Sequence, residues 1–243
     1  MKKHKKQDCS VHVPQGDKIK NQLQIRSLNW TPKQQEIISL ATDKDTKIII
    51  IDGVPGTGKS ILSVYCSLLL MNDKKVSDLV YIRSVIQASD GQTGYLAGDL
   101  SQKMELYNLP LMDKLNELLY KDDINKLINE QRIITYPTSM LRSYNFAAKV
   151  VISEESQNMC WDSLFTIATR LGKFSKLFII GDSKYQNDLG KRSGFEKFCK
   201  IFNDEESRSH GIFYRHFDSS DIMRSDVVKF IVEKIEKFDN LEK

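Results

Sequence analysis

Short apolar runs and longer amphipathic stretches alternate along most of this chain. Lys47-Ile-Ile-Ile-Ile-Asp52 is dense in β-branched residues, and its length and flanks predict a strand buried on both faces. Leu79–Ile82, Ile133–Tyr136, Lys149–Ser153, Leu177–Ile180 and Ile212–Phe217 read as further strands. Helical spacing fills the gaps. Thr31-Pro32 marks a helix start, with Thr31 as cap and Pro32 at the first helical position. That helix carries Ile37, Ile38 and Leu40 and ends near Asp43. Others are predicted over Lys59–Met71, Pro110–Ile128 and Ser225–Phe238. Strands alternating with helices predict an α/β fold: a mainly parallel sheet with helices on both faces. Residues 1–27, polar and basic, are expected to form a flexible N-terminal segment. Residues 28–243, without an internal repeat, are expected to form a single domain.

Composition narrows the class. Hydrophobic residues make up 40% and charged residues 28%, the mix of a globular domain and not of a disordered or fibrous chain. The longest mostly apolar stretch, Ile61–Met71, is too short to span a bilayer, so no membrane partner is expected. No apolar segment follows the opening MKKHKK, so no secretory signal is expected. Cys9, Cys66, Cys160 and Cys199 lie far apart, without CxxC or zinc spacing, which suits reduced thiols in a cytoplasmic protein. The balance of 36 basic against 32 acidic residues is too mild to identify a nucleic-acid partner by itself.

The chemistry begins after the first strand. Gly53-Val54-Pro55-Gly56-Thr57-Gly58-Lys59-Ser60 matches G-x-x-x-x-G-K-[ST], between an apolar strand and a helix that opens through Ile61. Glycines let the backbone wrap phosphates closely, and successive N–H groups and the helix N-terminus attract negative charge. Lys59 is expected to bridge the β- and γ-phosphates and Ser60 to reach Mg²⁺. Two later strands end in acids. Val150-Val-Ile-Ser-Glu154-Glu155 places paired carboxylates at a strand tip, one to orient the Mg²⁺ shell and one to polarise attacking water. Phe178-Ile-Ile-Gly181-Asp182 repeats the arrangement. Asp182 is then a further metal candidate, and Gln186 a candidate sensor of the γ-phosphate.

In order along the chain these blocks resemble the PhoH-like ATPase family, relatives of the first motor domain of superfamily 1 helicases. Val151-Ile152-Ser153-Glu154-Glu155-Ser156-Gln157-Asn158 is similar to the family's V-I-x-D-E-x-Q-N, with Glu154 where the family has Asp. Gly181-Asp182-Ser-Lys-Tyr185-Gln186 resembles G-D-x-x-Q with one residue more. Gly94-Tyr95-Leu96-Ala97-Gly98-Asp99 and Lys103-Met104 are similar to G-F-L-P-G-D and a K-M pair, and Arg83 matches the arginine before that loop. Leu141-Arg142-Ser-Tyr144-Asn-Phe146 resembles R-G-R-T-F. Asp221-Ile-Met-Arg224 resembles a D-x-x-R block, and Thr31-Pro32-Lys33-Gln34 a glutamine motif that reads adenine. The resemblance spans roughly residues 30 to 235. It implies a RecA-like P-loop NTPase domain that binds ATP and Mg²⁺, with Gln34 at the base, Glu155 as catalytic acid and a tendency to form homo-oligomeric rings such as hexamers. It also implies action on single-stranded nucleic acid, RNA favoured, and membership among bacterial or bacteriophage proteins, the latter working in the host cytoplasm.

The leading expectation is a Mg²⁺-dependent ATPase, helicase-like in its machinery, coupled to single-stranded RNA. A nucleotide-gated binding module with little turnover stands beside it, and a small-molecule kinase is the third reading. Arg224 is the candidate arginine finger, within the chain or across a subunit boundary, with Arg142 as runner-up. Arg83, Tyr95, Lys103 and Arg142 form the candidate nucleic-acid face, on which Tyr95 either stacks on a base or packs inside a lid.

Overall fold

The computed structural model describes residues 22–84, 100–138, 141 and 144–241. Its centre is a six-stranded sheet with every described pairing parallel. The strands are β1 (Ile48–Gly53), β2 (Asp78–Arg83), β3 (Ile133–Pro137), β4 (Lys149–Glu154), β5 (Lys176–Gly181) and β6 (Ile212–Phe217), in spatial order β3-β2-β4-β5-β1-β6. All six predicted strands are present within a residue or two of their expected bounds. The run Ile48–Ile51 is fully buried because it sits between β5 and β6 and is covered on both faces.

The two-residue period of the strands sorts their side chains into two cores. Ile49, Ile51, Leu79, Tyr81, Val150, Ile152, Phe178 and Ile180 face one layer. That layer comprises α1 (Pro32–Thr42), α2 (Lys59–Asn72), α3 (Leu100–Leu118) and α4 (Lys121–Asn129). Ile48, Ile50, Val80, Ile82, Val151, Leu177 and Ile179 face α5 (Trp161–Thr169) and α6 (Phe195–Ile201) on the other side. A one-residue slip in any central strand would exchange these sets, so register is strongly fixed. The short α7 (Glu205–Ser209) leads into β6, and α8 (Asp226–Leu241) closes the described chain.

Local sequence explains the element ends. Thr31 accepts a hydrogen bond from Gln34 N–H while Gln34 Oε1 accepts from Thr31 N–H, a capping box with Pro32 at the first turn. The single helical pattern expected over Pro110–Ile128 is two helices. α3 begins ten residues earlier and carries Pro110 inside it. Tyr120 is extended and starts α4, where Asp122 and Asp123 suit the positive end of the helix dipole. The N-terminal boundary also differs. Residues 23–26, expected within the flexible segment, pack on the domain: Leu23 is buried and exchanges backbone hydrogen bonds with the Asn72 side chain, and Arg26 N–H bonds to Leu118 O. Two apolar residues, Leu23 and Ile25, among polar neighbours give too short a pattern to signal this docking.

Strand β1 lies beside β5 on one side and β6 on the other, whereas its sequence neighbour β2 lies three strands away. The connection leaving β1 therefore runs toward β2 on one side, whereas that leaving the neighbouring β5 crosses β1 to reach β6 on the other, and the crevice at such a switch point opens at the C-terminal strand ends.

Candidate functional site

The phosphate loop leaves β1 at that crevice. Gly58 adopts φ +78° as it caps α2, a left-handed conformation that glycine takes without strain. Gly53 is required for a different reason: a Cβ there would lie 2.3 Å from Phe217 O on β6. Thr57 Oγ1 donates to Val54 O at 2.9 Å and stiffens the turn. Lys59 Nζ donates to Gly53 O at 2.7 Å and Val54 O at 2.8 Å, and so folds over its own loop. Burial lowers the Lys59 pKa, opposed by the charges of Asp182, Glu154, Asp52 and Glu155.

The acidic strand tips meet this loop. Ser60 Oγ donates to Glu154 Oε1 at 2.5 Å across 94 residues of sequence. Burial pushes the Glu154 carboxyl up to about 7, against the opposing hydrogen bond from Ser60. Glu155 follows with φ +52°, an unusual backbone for a non-glycine residue that turns its side chain out of the strand line. Its Oε2 accepts from Gln157 Nε2 at 2.6 Å, and Gln157 Oε1 accepts from Asp182 N–H at 3.1 Å. Gln157 therefore ties the tip of β4 to that of β5. Asp182 Oδ1 accepts from the N–H groups of Lys184 and Tyr185, at 2.9 and 3.0 Å.

An open cavity of about 550 Å³ lies over these groups. Pro55, Gly56, Gly58, Lys59, Ser60 and Ile61 form its floor; Glu154, Glu155, Asp182, Gln186 and Arg224 line it as well. The extra residue of the Gly181–Gln186 block does not carry Gln186 away. Tyr185 packs against the small apolar cluster of Val54, Ile222 and Val232, which leaves Gln186 on the cavity wall. Arg224 arrives within its own chain, because Met223 N–H donates to Gly56 O at 3.0 Å and anchors the segment before α8 to the phosphate loop.

The donors suit a hard cation. Glu154 Oε2 and Asp182 Oδ2 are buried without a hydrogen-bond partner, in a cavity that also holds Ser60. Among the described residues no three His, Cys, Asp or Glu side chains form a complete metal cage. Such an incomplete oxygen set fits Mg²⁺, which retains waters and shares phosphate oxygens with a nucleotide.

Other expected residues sit elsewhere. Gln34 is buried behind the loop, where its Nε2 donates to Thr57 O at 3.1 Å, and it does not line the cavity. Its amide braces the phosphate loop. Gly53, Val54 and Thr57 likewise shape the loop from behind. Arg83 ends β2 in register with Glu154, and its charge favours the ionised form of that acid. Tyr95 and Arg142 lie outside the described residues, as does the side chain of Lys103 in α3. The cavity also includes groups that sequence reasoning missed. Lys114 and Glu117 reach it from α3, and Gln157 and Met223 complete the wall. Two charged residues three apart on an amphipathic helix look like any solvated face, so no signal marked them.

No helix among the described residues is long and apolar enough to cross a membrane. A family model described as PhoH-like protein matches residues 26–236. A PhoH-like protein of Synechocystis sp. is 29% identical over 212 residues, covering 86% of this chain and 62% of that protein. A PhoH-like protein of Bacillus subtilis is 28% identical over 207 residues, covering 85% of this chain and 63% of that protein. The chain thus spans less than two thirds of the length of these relatives. Among solved structures, a large terminase from a thermophilic bacteriophage superposes with a TM-score of 0.50 at 12% identity, covering 84% of this chain and 50% of that one. That likeness concerns the fold, a RecA-like P-loop architecture.

Proposed function

This chain belongs to the PhoH-like protein family, with a nucleotide-binding P-loop fold, and on that premise we propose that it is a Mg²⁺-dependent ATPase coupled to single-stranded RNA. The carrying observation is the convergence of Lys59, Ser60, Glu154, Glu155 and Asp182 on one cavity, from three strand tips that the topology makes adjacent. Lys59 has only to exchange two loop carbonyls for phosphate oxygens. Ser60, Glu154 and Asp182 would hold Mg²⁺, which supplies charge neutralisation on the β- and γ-phosphates. Glu155, held by Gln157, would accept a proton from attacking water, and Gln186 would orient that water. Arg224 offers positive charge to the γ-phosphate from within the same chain.

Self-association is part of this reading. Val227, Phe230, Ile231, Phe238 and Leu241 are exposed and fall on one side of α8, directly after Arg224. A face of that kind on a helix beside the nucleotide cavity supports contact with a second copy. Coupling to RNA rests on the resemblance of the Arg83–Lys103 and Arg142 blocks. A cytoplasmic site of action, in a bacterium or in the host of a bacteriophage that encodes it, is part of the same reading. ATP hydrolysis with and without single-stranded RNA is the test. RNA-stimulated turnover supports the proposal; ATP binding without turnover favours a nucleotide-gated binding module; slow turnover indifferent to RNA reopens a kinase.

A further inference from the structure

Asp52 is a charged residue near the end of an otherwise aliphatic strand, and it is 4% exposed. Its carboxylate gathers the tips of three neighbouring strands. Oδ1 accepts from Ser183 N–H at 2.9 Å; Oδ2 accepts from Ser183 Oγ at 2.8 Å and from Tyr214 Oη at 3.2 Å, with His216 Nδ1 at 3.3 Å. Burial alone would raise its pKa, but hydrogen bonds from His216 and Ser183 hold it below the ordinary carboxylate value. A buried anion with this many donors is held in place and holds its donors in turn.

The two chain neighbours of this link explain its position. Gly53, next after Asp52, begins the phosphate loop and accepts from Lys59. Asp182, next before Ser183, lines the cavity with Ser60 and Glu154 and has a buried oxygen without a hydrogen-bond partner. Neither Asp52 nor Ser183 lines the cavity itself. The Asp52–Ser183 bonds therefore join the root of the phosphate loop to the loop bearing Asp182, without touching a ligand.

We propose that Asp52 is a positioning residue, which through Ser183 sets Asp182 against the phosphate loop for Mg²⁺–nucleotide binding. The inference rests on the nucleotide reading above. Side chains that orient metal-binding groups characteristically change metal affinity by about 10- to 100-fold when altered. A residue that merely supported the sheet would lower stability and weaken nucleotide binding with or without metal.

The test titrates a fluorescent non-hydrolysable ATP analogue against wild type, Asp52→Asn, Ser183→Ala and the double variant, with and without Mg²⁺. For Asp52→Asn the half-saturating Mg²⁺ concentration should rise about tenfold or more, with metal-free affinity unchanged. Ser183→Ala, at a partly exposed site that does not threaten folding, should shift it in the same direction by less. The double variant should shift it no further than Asp52→Asn, because the two residues act as one link. An unchanged Mg²⁺ requirement in both single variants overturns the assignment, as does an equal loss of affinity with and without metal. Absence of Mg²⁺-dependent analogue binding in wild type would instead remove the nucleotide reading on which it rests.

Discussion

Ser60 Oγ and Glu154 Oε1 stand 2.5 Å apart, joining the first turn of α2 to the tip of β4 while the second Glu154 oxygen stays buried without a partner. This pair occupies the space in which a hydroxyl and a carboxylate would share one Mg²⁺. The glutamate side chain, one methylene longer than aspartate, reaches the Ser60 hydroxyl directly.

The pair predicts a pH dependence. Because burial raises the Glu154 pKa to about 7, Mg²⁺ must displace a proton below that pH. Mg²⁺ affinity in the presence of nucleotide should weaken about tenfold from pH 8 to pH 6 if this carboxylate dominates. The same shift contributes stability to the ligand-free protein at low pH, and that contribution is lost as pH rises from 4.5 toward 7. Titrations at the two pH values check the first statement and thermal unfolding without metal the second. Glu154→Gln should abolish both effects.

Glu155→Gln should leave ATP affinity in place and slow hydrolysis by roughly 10²- to 10⁴-fold, the span of general-base assistance. Single-turnover measurements with saturating ATP read the chemical step directly. If Glu154→Gln arrests chemistry and Glu155→Gln alters only the Mg²⁺ requirement, the two roles are exchanged.

Much of this site is legible in the sequence, for physical reasons. A strand, a glycine-rich turn and a lysine are contiguous, so Gly53–Ser60 declares itself locally. Glu154 and Asp182 are each marked by an apolar strand that stops at an acid. Asp52 carries a signal too, a lone charge after the run Ile48–Ile51, but its partners Ser183 and Tyr214 are 131 and 162 residues away and only the parallel pairing of β1 with β5 and β6 unites them. Gln34 shows the opposite case. Its block is recognisable, yet the capping box and the Thr57 carbonyl engage both ends of its amide.

Arg224→Ala should reduce turnover by about 10³-fold with little change in ATP affinity, the scale set by arginine fingers in general. Met223 N–H fixes this segment to Gly56 in the same chain, so mixing Arg224→Ala with Glu155→Gln protein should restore no activity. Recovery in mixed assemblies would show that the arginine acts across a subunit boundary.

The exposed face of α8 predicts that Phe230→Glu shifts the protein to a smaller assembly in sedimentation. Phe230 is 63% exposed, so folding stability should change by no more than about 0.5 kcal/mol. An unchanged sedimentation profile at matched concentration would locate any self-association on another surface.

The central claim is that the cavity over Gly53–Ser60 binds Mg²⁺–ATP through Lys59, and calorimetric titration of ATP with Mg²⁺ into wild type and Lys59→Ala tests it most directly. Lys59 lines that cavity with Ser60, Glu154 and Asp182. The account predicts saturable one-site binding by wild type, strengthened by Mg²⁺, and loss of that binding in a folded Lys59→Ala variant. Equal affinity in the two proteins, or no binding by wild type, would contradict it.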